Sequence, residues 1–222
     1  MEKGKGKKGQ GETVFGIAVH VAALTPLAWL AVGLARGQLG FNPIREATLR
    51  TGRYALALLV ISLACTPVLW LTRWRQARTV RKWAGLYGTF YAALHLLIFV
   101  GWDYGFQFEL IWLDVREKQF IWAGLLALLI LIPLAITSTQ GAMRRMGRRW
   151  KRLHRLVYVA DLLAVTHFLL LVKADLRRPL AYAAIVGALF VARVPLVRDA
   201  VKRVATEGTE TTEKNREKGE DR

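Results

Sequence analysis

Cysteine is almost absent from this chain. The single residue, Cys65, lies inside an apolar stretch. That excludes an intramolecular disulfide, a cysteine-ligated iron–sulfur cluster and covalent heme attachment through C-x-x-C-H. Cys65 itself reads as a small buried hydrophobe. Acidic residues are scarce as well, with 16 Asp+Glu against 33 Lys+Arg and a net charge of +17. In a soluble protein that imbalance would point to nucleic acid. Here the basic residues lie in the gaps between apolar blocks, as in loops retained on one side of a membrane, and nucleic acid is not an expected partner. A dinucleotide-binding domain is also lacking. Gly4, Gly6 and Gly9 match G-x-G-x-x-G, but no strand precedes them and no βαβ unit surrounds them. The chain therefore takes no hydride from a nicotinamide by itself.

Long apolar runs are what the sequence has instead. Hydrophobic residues make up 54% of 222 and gather in blocks with few charges. Crossing a bilayer takes about 20 mainly apolar residues. Six segments qualify, at approximately 13–35, 54–71, 83–101, 120–137, 153–172 and 179–197. All must be helical, because lipid offers no partner to a free backbone group. The expected fold class is thus all-α, a polytopic bundle of about six transmembrane helices. Residues 1–12 form a basic flexible N-terminus, 13–200 the membrane domain, and 205–222 a disordered charged cytosolic tail. The first segment exceeds the usual apolar core of a secretory signal and has no clean cleavage site, so it is read as retained. No internal repeat is evident. Pro67, Pro133 and Pro195 fall late in their helices, where neighbouring groups re-satisfy the freed backbone.

Loop charge sets the orientation. The N-terminus, the second and fourth connections and the C-terminus together hold 22 Lys+Arg, and the opposite set holds 9. Both termini are expected in the cytoplasm. The opposite face carries Asp103, Glu109, Asp114 and Glu117, with Trp102, Trp112 and Trp122 as interfacial aromatics. The basic run from Arg144 to Arg155 reads mainly as topology signal and lipid-headgroup contact.

Only four histidines are present, His20, His95, His154 and His167, all in or at the ends of apolar segments. Intramembrane ionisable residues are costly and usually face a functional interior. Imidazole is also the usual axial ligand of a b-type heme. His95 precedes Trp102 by 7 residues, a rise of roughly 10 Å, and His167 precedes Lys173 by 6, roughly 9 Å. The third and fifth segments both run outward, so the two rings share a level and can ligate one iron from opposite sides. Gly88, Ala92 and His95 sit at offsets 0, 4 and 7, which Ala160, Ala164 and His167 repeat. Small residues on those faces leave room for a porphyrin edge, or serve plain helix packing. His154 lies 13 residues before His167, near the cytosolic boundary. It is a candidate ligand for a second heme or part of a flavin or quinone site, with His20 as a partner to consider. Lys82 occupies the matching position before His95, so a symmetric second bis-histidine pair is not encoded. Asp161, in the middle of the fifth segment, needs a partner such as Arg155 or Arg193.

Several stretches resemble a known family. They are Thr51-Gly-Arg-Tyr-Ala-Leu, Thr66-Pro-Val-Leu-Trp-Leu-Thr, the run from Arg81 to His95, Trp150-Lys-Arg-Leu-His154-Arg-Leu-Val-Tyr, and the helix from His167 to Lys173. In order and spacing they are similar to the YedZ/MsrQ proteins, heme-binding membrane subunits of a methionine sulfoxide reductase system. These belong to the ferric reductase-like transmembrane superfamily. The resemblance covers roughly residues 14–200. It implies ligation of heme b, one or two per chain, by His95 and His167, with His154 as a further cofactor ligand. It also implies FMN as a further cofactor, electrons drawn from the quinone pool, and delivery to a periplasmic molybdopterin-containing catalytic subunit that repairs oxidised proteins. The location implied is the bacterial inner membrane. Asp161 and the charged extensions are not part of that family's pattern. Two other readings stand beside it: a stand-alone transmembrane ferric or cupric reductase, and a proton or ion transporter using Asp161 and the histidines as a relay.

Overall fold

The computed structural model describes residues 3–195, together with 197 and 199. The tail expected over 205–222 lies outside the described residues. Among those described, every regular element is helical. They are α1 (Lys3–Ala35), α2 (Pro43–Thr72), α3 (Ala77–Ile98) continued by a π-helical turn (Phe99–Asp103), α4 (Phe108–Glu117), α5 (Gln119–Ile136), α6 (Gln140–Met146), α7 (Arg148–His154), α8 (Val157–Leu171) and α9 (Arg177–Val191).

Five helical stretches are long and apolar enough to cross a membrane: Thr13–Ala35, Pro43–Thr72, Ala77–Asp103, Gln119–Ile136 and Arg148–Leu171. They coincide with the first five expected segments. The sixth falls on α9, whose 15 residues are fewer than the about 20 that a bilayer needs. Large apolar side chains face outward along these helices, Leu129 at 55% exposed and Leu162 at 56% among them. In water such faces would drive aggregation, whereas in a bilayer they are lipid contacts.

Some boundaries moved for identifiable reasons. α1 begins at Lys3, inside the segment expected as a flexible terminus over 1–12. A helix nucleated in the apolar block adds one hydrogen bond for each further residue fixed. α2 begins at Pro43 rather than near 54. Asn42 caps it, accepting from the Arg45 N–H at 3.0 Å, and Pro43 supplies a first-turn residue that needs no donor. Arg45, Arg50 and Arg53 therefore extend from a helix, and Glu46 pairs with Arg50 and Arg53 on its surface. The acidic stretch expected as a loop contains α4. Its Val115 is buried, while Phe108, Leu110, Trp112 and Leu113 are exposed.

Two antiparallel helix pairs make up the bundle. α2 packs along α3, and α5 packs along α8. Lipid tails are as apolar as Leu, so close approach and interhelical hydrogen bonds hold such pairs together. At Gly88 of α3, a Cβ would stand 3.0 Å from Leu59 and 3.3 Å from the Ala55 carbonyl oxygen of α2. Ser62 of α2 donates to the Arg81 carbonyl at 2.9 Å. Between the pairs, Leu59, Leu131 and Ala160 form a buried cluster shared by α2, α5 and α8. A second cluster, with Leu56, Leu63, Val165 and Val186, draws in α9. α1 lies against α2 and α3, and Tyr91 of α3 donates its hydroxyl to the Ala23 carbonyl at 2.8 Å.

Candidate functional site: a facing pair of imidazoles

α3 and α8 bring His95 and His167 together. Their ring centroids are 6.0 Å apart and the ring planes are nearly perpendicular, at 86°. Each ring is also moored within its own helix pair. His95 Nδ1 lies 2.8 Å from the Thr48 carbonyl oxygen of α2. His167 Nδ1 lies 2.6 Å from the Phe120 carbonyl oxygen of α5. A carbonyl only accepts, so Nδ1 carries the proton and donates in both rings. Nε2 is left as the lone-pair nitrogen. This is the arrangement of metal-bound histidines, whose second nitrogen is usually held by a carbonyl or carboxylate.

The spacing fits one metal between the rings. A metal–imidazole bond of about 2 Å, with the ring centre about 1 Å further back, puts two trans imidazole centroids roughly 6 Å apart. Among the described residues there is no group of three or more His, Cys, Asp or Glu placed to hold a metal ion. Two imidazoles alone suit a metal that arrives with its own equatorial ligands, as heme iron does.

Two glycines complete the setting. A Cβ at Gly52 would meet His95 Nδ1 at 3.1 Å, and one at Gly124 would meet His167 Nδ1 at 2.7 Å. Each ring therefore rests directly on helix backbone. Sequence reasoning missed both glycines, because each one's partner is a histidine on another helix. The π-helical turn begins four residues after His95 and widens the C-terminal end of α3.

The other candidates lie elsewhere. His154 stacks on Trp150, with ring centroids 4.0 Å apart, and its Nε2 is 3.1 Å from the Thr137 hydroxyl. Trp150 also donates to the Thr137 carbonyl at 2.9 Å, joining α7 to the end of α5. His20 belongs to another cluster, with Nδ1 2.9 Å from the Tyr87 hydroxyl and its ring against Trp83. The structure does not pair His20 with His154. Asp161 is 1% exposed, and neither carboxylate oxygen has a hydrogen-bond partner. The pairing expected with Arg155 or Arg193 is not formed. Arg193 instead donates to the carbonyls of Leu189 and Leu63 and lies over the Tyr158 ring.

Residues 51–165, which span the α2–α3 pair and much of the second pair, match the model of the ferric reductase like transmembrane component. A protein of Rhodospirillum rubrum is 47% identical over 184 residues, covering 82% of this chain and 88% of its own. Its name is protein-methionine-sulfoxide reductase heme-binding subunit MsrQ. The chain belongs to the MsrQ family of ferric reductase-like transmembrane proteins. MsrQ proteins of Caulobacter vibrioides and Deinococcus radiodurans are each 44% identical, covering 86% and 81% of this chain and 91% and 89% of their own. The match with MsrQ relatives takes in both imidazoles and both helix pairs, in a multi-pass membrane protein.

Proposed function

We propose that this chain is the heme-binding, electron-passing subunit of a methionine sulfoxide reductase system in the bacterial inner membrane. His95 and His167 hold one heme b between the two helix pairs. The observation that carries this reading is the 6.0 Å spacing of two rings, each committed through Nδ1 to a backbone carbonyl. When bound, heme iron supplies one-electron transfer at a site buried in the bilayer. The chain's own part is to present two neutral imidazoles at fixed height and to keep each from turning. The Thr48 and Phe120 carbonyls do this, and by accepting from Nδ1 they raise the basicity of Nε2.

The relatives' printed name makes them heme-binding subunits of a reductase, and the loop charges distinguish the two faces, which together support an outward flow. Electrons enter from the quinone pool, pass the imidazole pair and leave at the outer face to a periplasmic molybdopterin-containing catalytic subunit. Both termini are cytoplasmic. His154, with Trp150 stacked on it, marks the cytosolic end of the path. No second imidazole stands opposite it among the described residues, so a second heme, or FMN, needs a different partner there. Methionine sulfoxide chemistry belongs to the partner subunit, which makes this chain an electron-transfer component of an oxidoreductase.

The test is a reduced-minus-oxidised spectrum with heme quantified per chain. The wild type shows b-type bands. His95→Ala and His167→Ala each lose the signal, while His154→Ala keeps it. A full, unshifted spectrum in either of the first two variants refutes the ligand pair. A wild type without any b-type band refutes the heme reading and favours the transporter.

A further inference from the structure

The two halves of the site are the same device used twice. His95 and His167 are 72 residues apart, and so are Gly52 and Gly124, and Thr48 and Phe120, whose carbonyls accept from the rings. The register continues through the buried faces of the first helix in each pair. Ala55 and Ala127 are 5% and 4% exposed, Leu56 and Leu128 both 6%, and Leu59 and Leu131 both 3%. On the second helix of each pair, Gly88 and Ala92 answer to Ala160 and Ala164. A repeat not evident along the chain as a whole is thus present at these positions in residue identity, burial and hydrogen bonding. Each unit is a helix offering one carbonyl and, one turn later, one glycine, to an imidazole on the helix packed beside it.

Within each unit the glycine is the surface against which the ring stops. The carbonyl fixes where Nδ1 points, but a single hydrogen bond leaves the ring free to tilt about it. A methyl group in place of the glycine hydrogen would stand 3.1 Å from Nδ1 at position 52 and 2.7 Å at position 124. Real Cβ contacts are essentially never that close at the second site. The obstacle on one side is helix backbone and on the other a ring held by its bond to Thr48 or Phe120.

We propose that Gly52 and Gly124 are a matched pair of positioning residues, which set the tilt of the two axial imidazoles and so the crossed angle between their planes. The proposal rests on the heme reading and goes beyond it. It assigns to two side-chain-less positions the control of ligand geometry, and with it the ligand field at the iron. Crossed imidazole planes give a strongly anisotropic low-spin ferric signal in electron paramagnetic resonance, and parallel planes give a less anisotropic, rhombic one.

The experiment uses the full chain with Gly52→Ala, Gly124→Ala and, as control, Gly187→Ala, where a Cβ meets nothing within 4 Å. The resonance spectrum, heme midpoint potential and heme content are measured for each. Wild type and Gly187→Ala give the strongly anisotropic signal. Gly52→Ala moves toward the rhombic signal with a shifted potential, and Gly124→Ala, the tighter site, moves further or loses heme. If Gly124→Ala does not accumulate, Gly52→Ala decides alone. A wild-type signal and potential in Gly52→Ala overturns the proposal while leaving the heme reading intact, and so does an equal change in Gly187→Ala. A second measurement needs no heme. On a His167→Ala background, where the ring is gone, Gly124→Ala lowers the thermal midpoint less than it does in the wild type. An equal loss on both backgrounds shows that the methyl does not act through the ring, and also overturns the proposal.

Discussion

Tyr91→Phe removes the hydroxyl by which α3 meets the backbone of α1 at Ala23 and Leu27. Tyr91 is wholly buried, and its hydroxyl donates to the Ala23 carbonyl of α1 at 2.8 Å. Pro26 lies inside α1 and has no N–H, and its ring crowds the carbonyl one turn earlier. Pro26 leaves the Ala22 carbonyl without its ladder donor, and Tyr91 donates to the next carbonyl along, that of Ala23. Phenylalanine keeps the ring, with its edge contacts to Tyr54 at 5.6 Å and Phe90 at 5.5 Å, and loses only the hydroxyl. Interhelical hydrogen bonds in membranes contribute about 0.6 kcal/mol on average and up to about 1.7. A fully buried bond at good length belongs in the upper part of that range, so the expected cost is about 1 kcal/mol. For a chain of this size that corresponds to a fall of roughly 2–4 °C in the unfolding midpoint. The assay is thermal unfolding in detergent, followed by tryptophan fluorescence, with limited proteolysis of the 36–42 connection reporting release of α1. Heme content stays at the wild-type level, because His95 is moored to α2 and not to α1. An unchanged midpoint means that the carbonyl finds another donor, and the reasoning fails. A loss of heme refutes the independence of α1 docking from the imidazole pair.

Other expectations concern the α3–α4 connection and the first helix pair. The Lys118 ammonium, followed by the Tyr104 hydroxyl, holds the Asp114 carboxyl below its usual range; burial, then the Asp114 carboxylate, pushes Tyr104 up to about 12. The lowered carboxyl contributes stability present above its ordinary value of 3.8 and lost as pH falls through the depressed one. The raised phenol contributes stability present below 10 and lost as pH rises through about 12. Trp102 and Trp112 fluorescence should therefore be flat between those limits and change at both ends. Asp114→Asn should weaken both transitions, and wild-type curves in that variant would contradict the assignment. In α3, Gly88→Ala places a methyl 3.0 Å from Leu59 and 3.3 Å from the Ala55 carbonyl, and should cost about 1–3 kcal/mol by overpacking. A neutral Gly88→Ala in thermal unfolding would show that α2 and α3 can part without penalty.

The sequence displayed the spans and the histidine level because both depend on spacing along one helix. A rise of about 1.5 Å per residue turns the distances from His95 to Trp102 and from His167 to Lys173 into heights. The five described spans follow apolar blocks for the same reason. The start of α2 was hidden by Arg45, Arg50 and Arg53, which read as loop charges although Asn42-Pro43 encodes a helix start. α4 was hidden by its acidic residues and short length. Gly52 and Gly124 were illegible for a different reason. Each matters through a ring that belongs to another helix, and the accepting carbonyls lie 47 positions before their histidines. The repeat was masked where the halves diverge, as at Thr48 and Phe120, Lys82 and His154, or Thr89 and Asp161. Backbone carbonyls carry no residue signature, so substitution there leaves the device working.

Each histidine finds its mooring carbonyl within its own hairpin, so neither half-site waits for the other. The first hairpin, from Pro43 to Asp103, contains a finished imidazole seat before the second has been synthesised. Assembly then reduces to laying two completed faces against each other across a narrow seam of leucine and alanine. On the proposed function, a chain organised in this way would recruit its prosthetic group last, as the rivet between two leaves already standing in the bilayer.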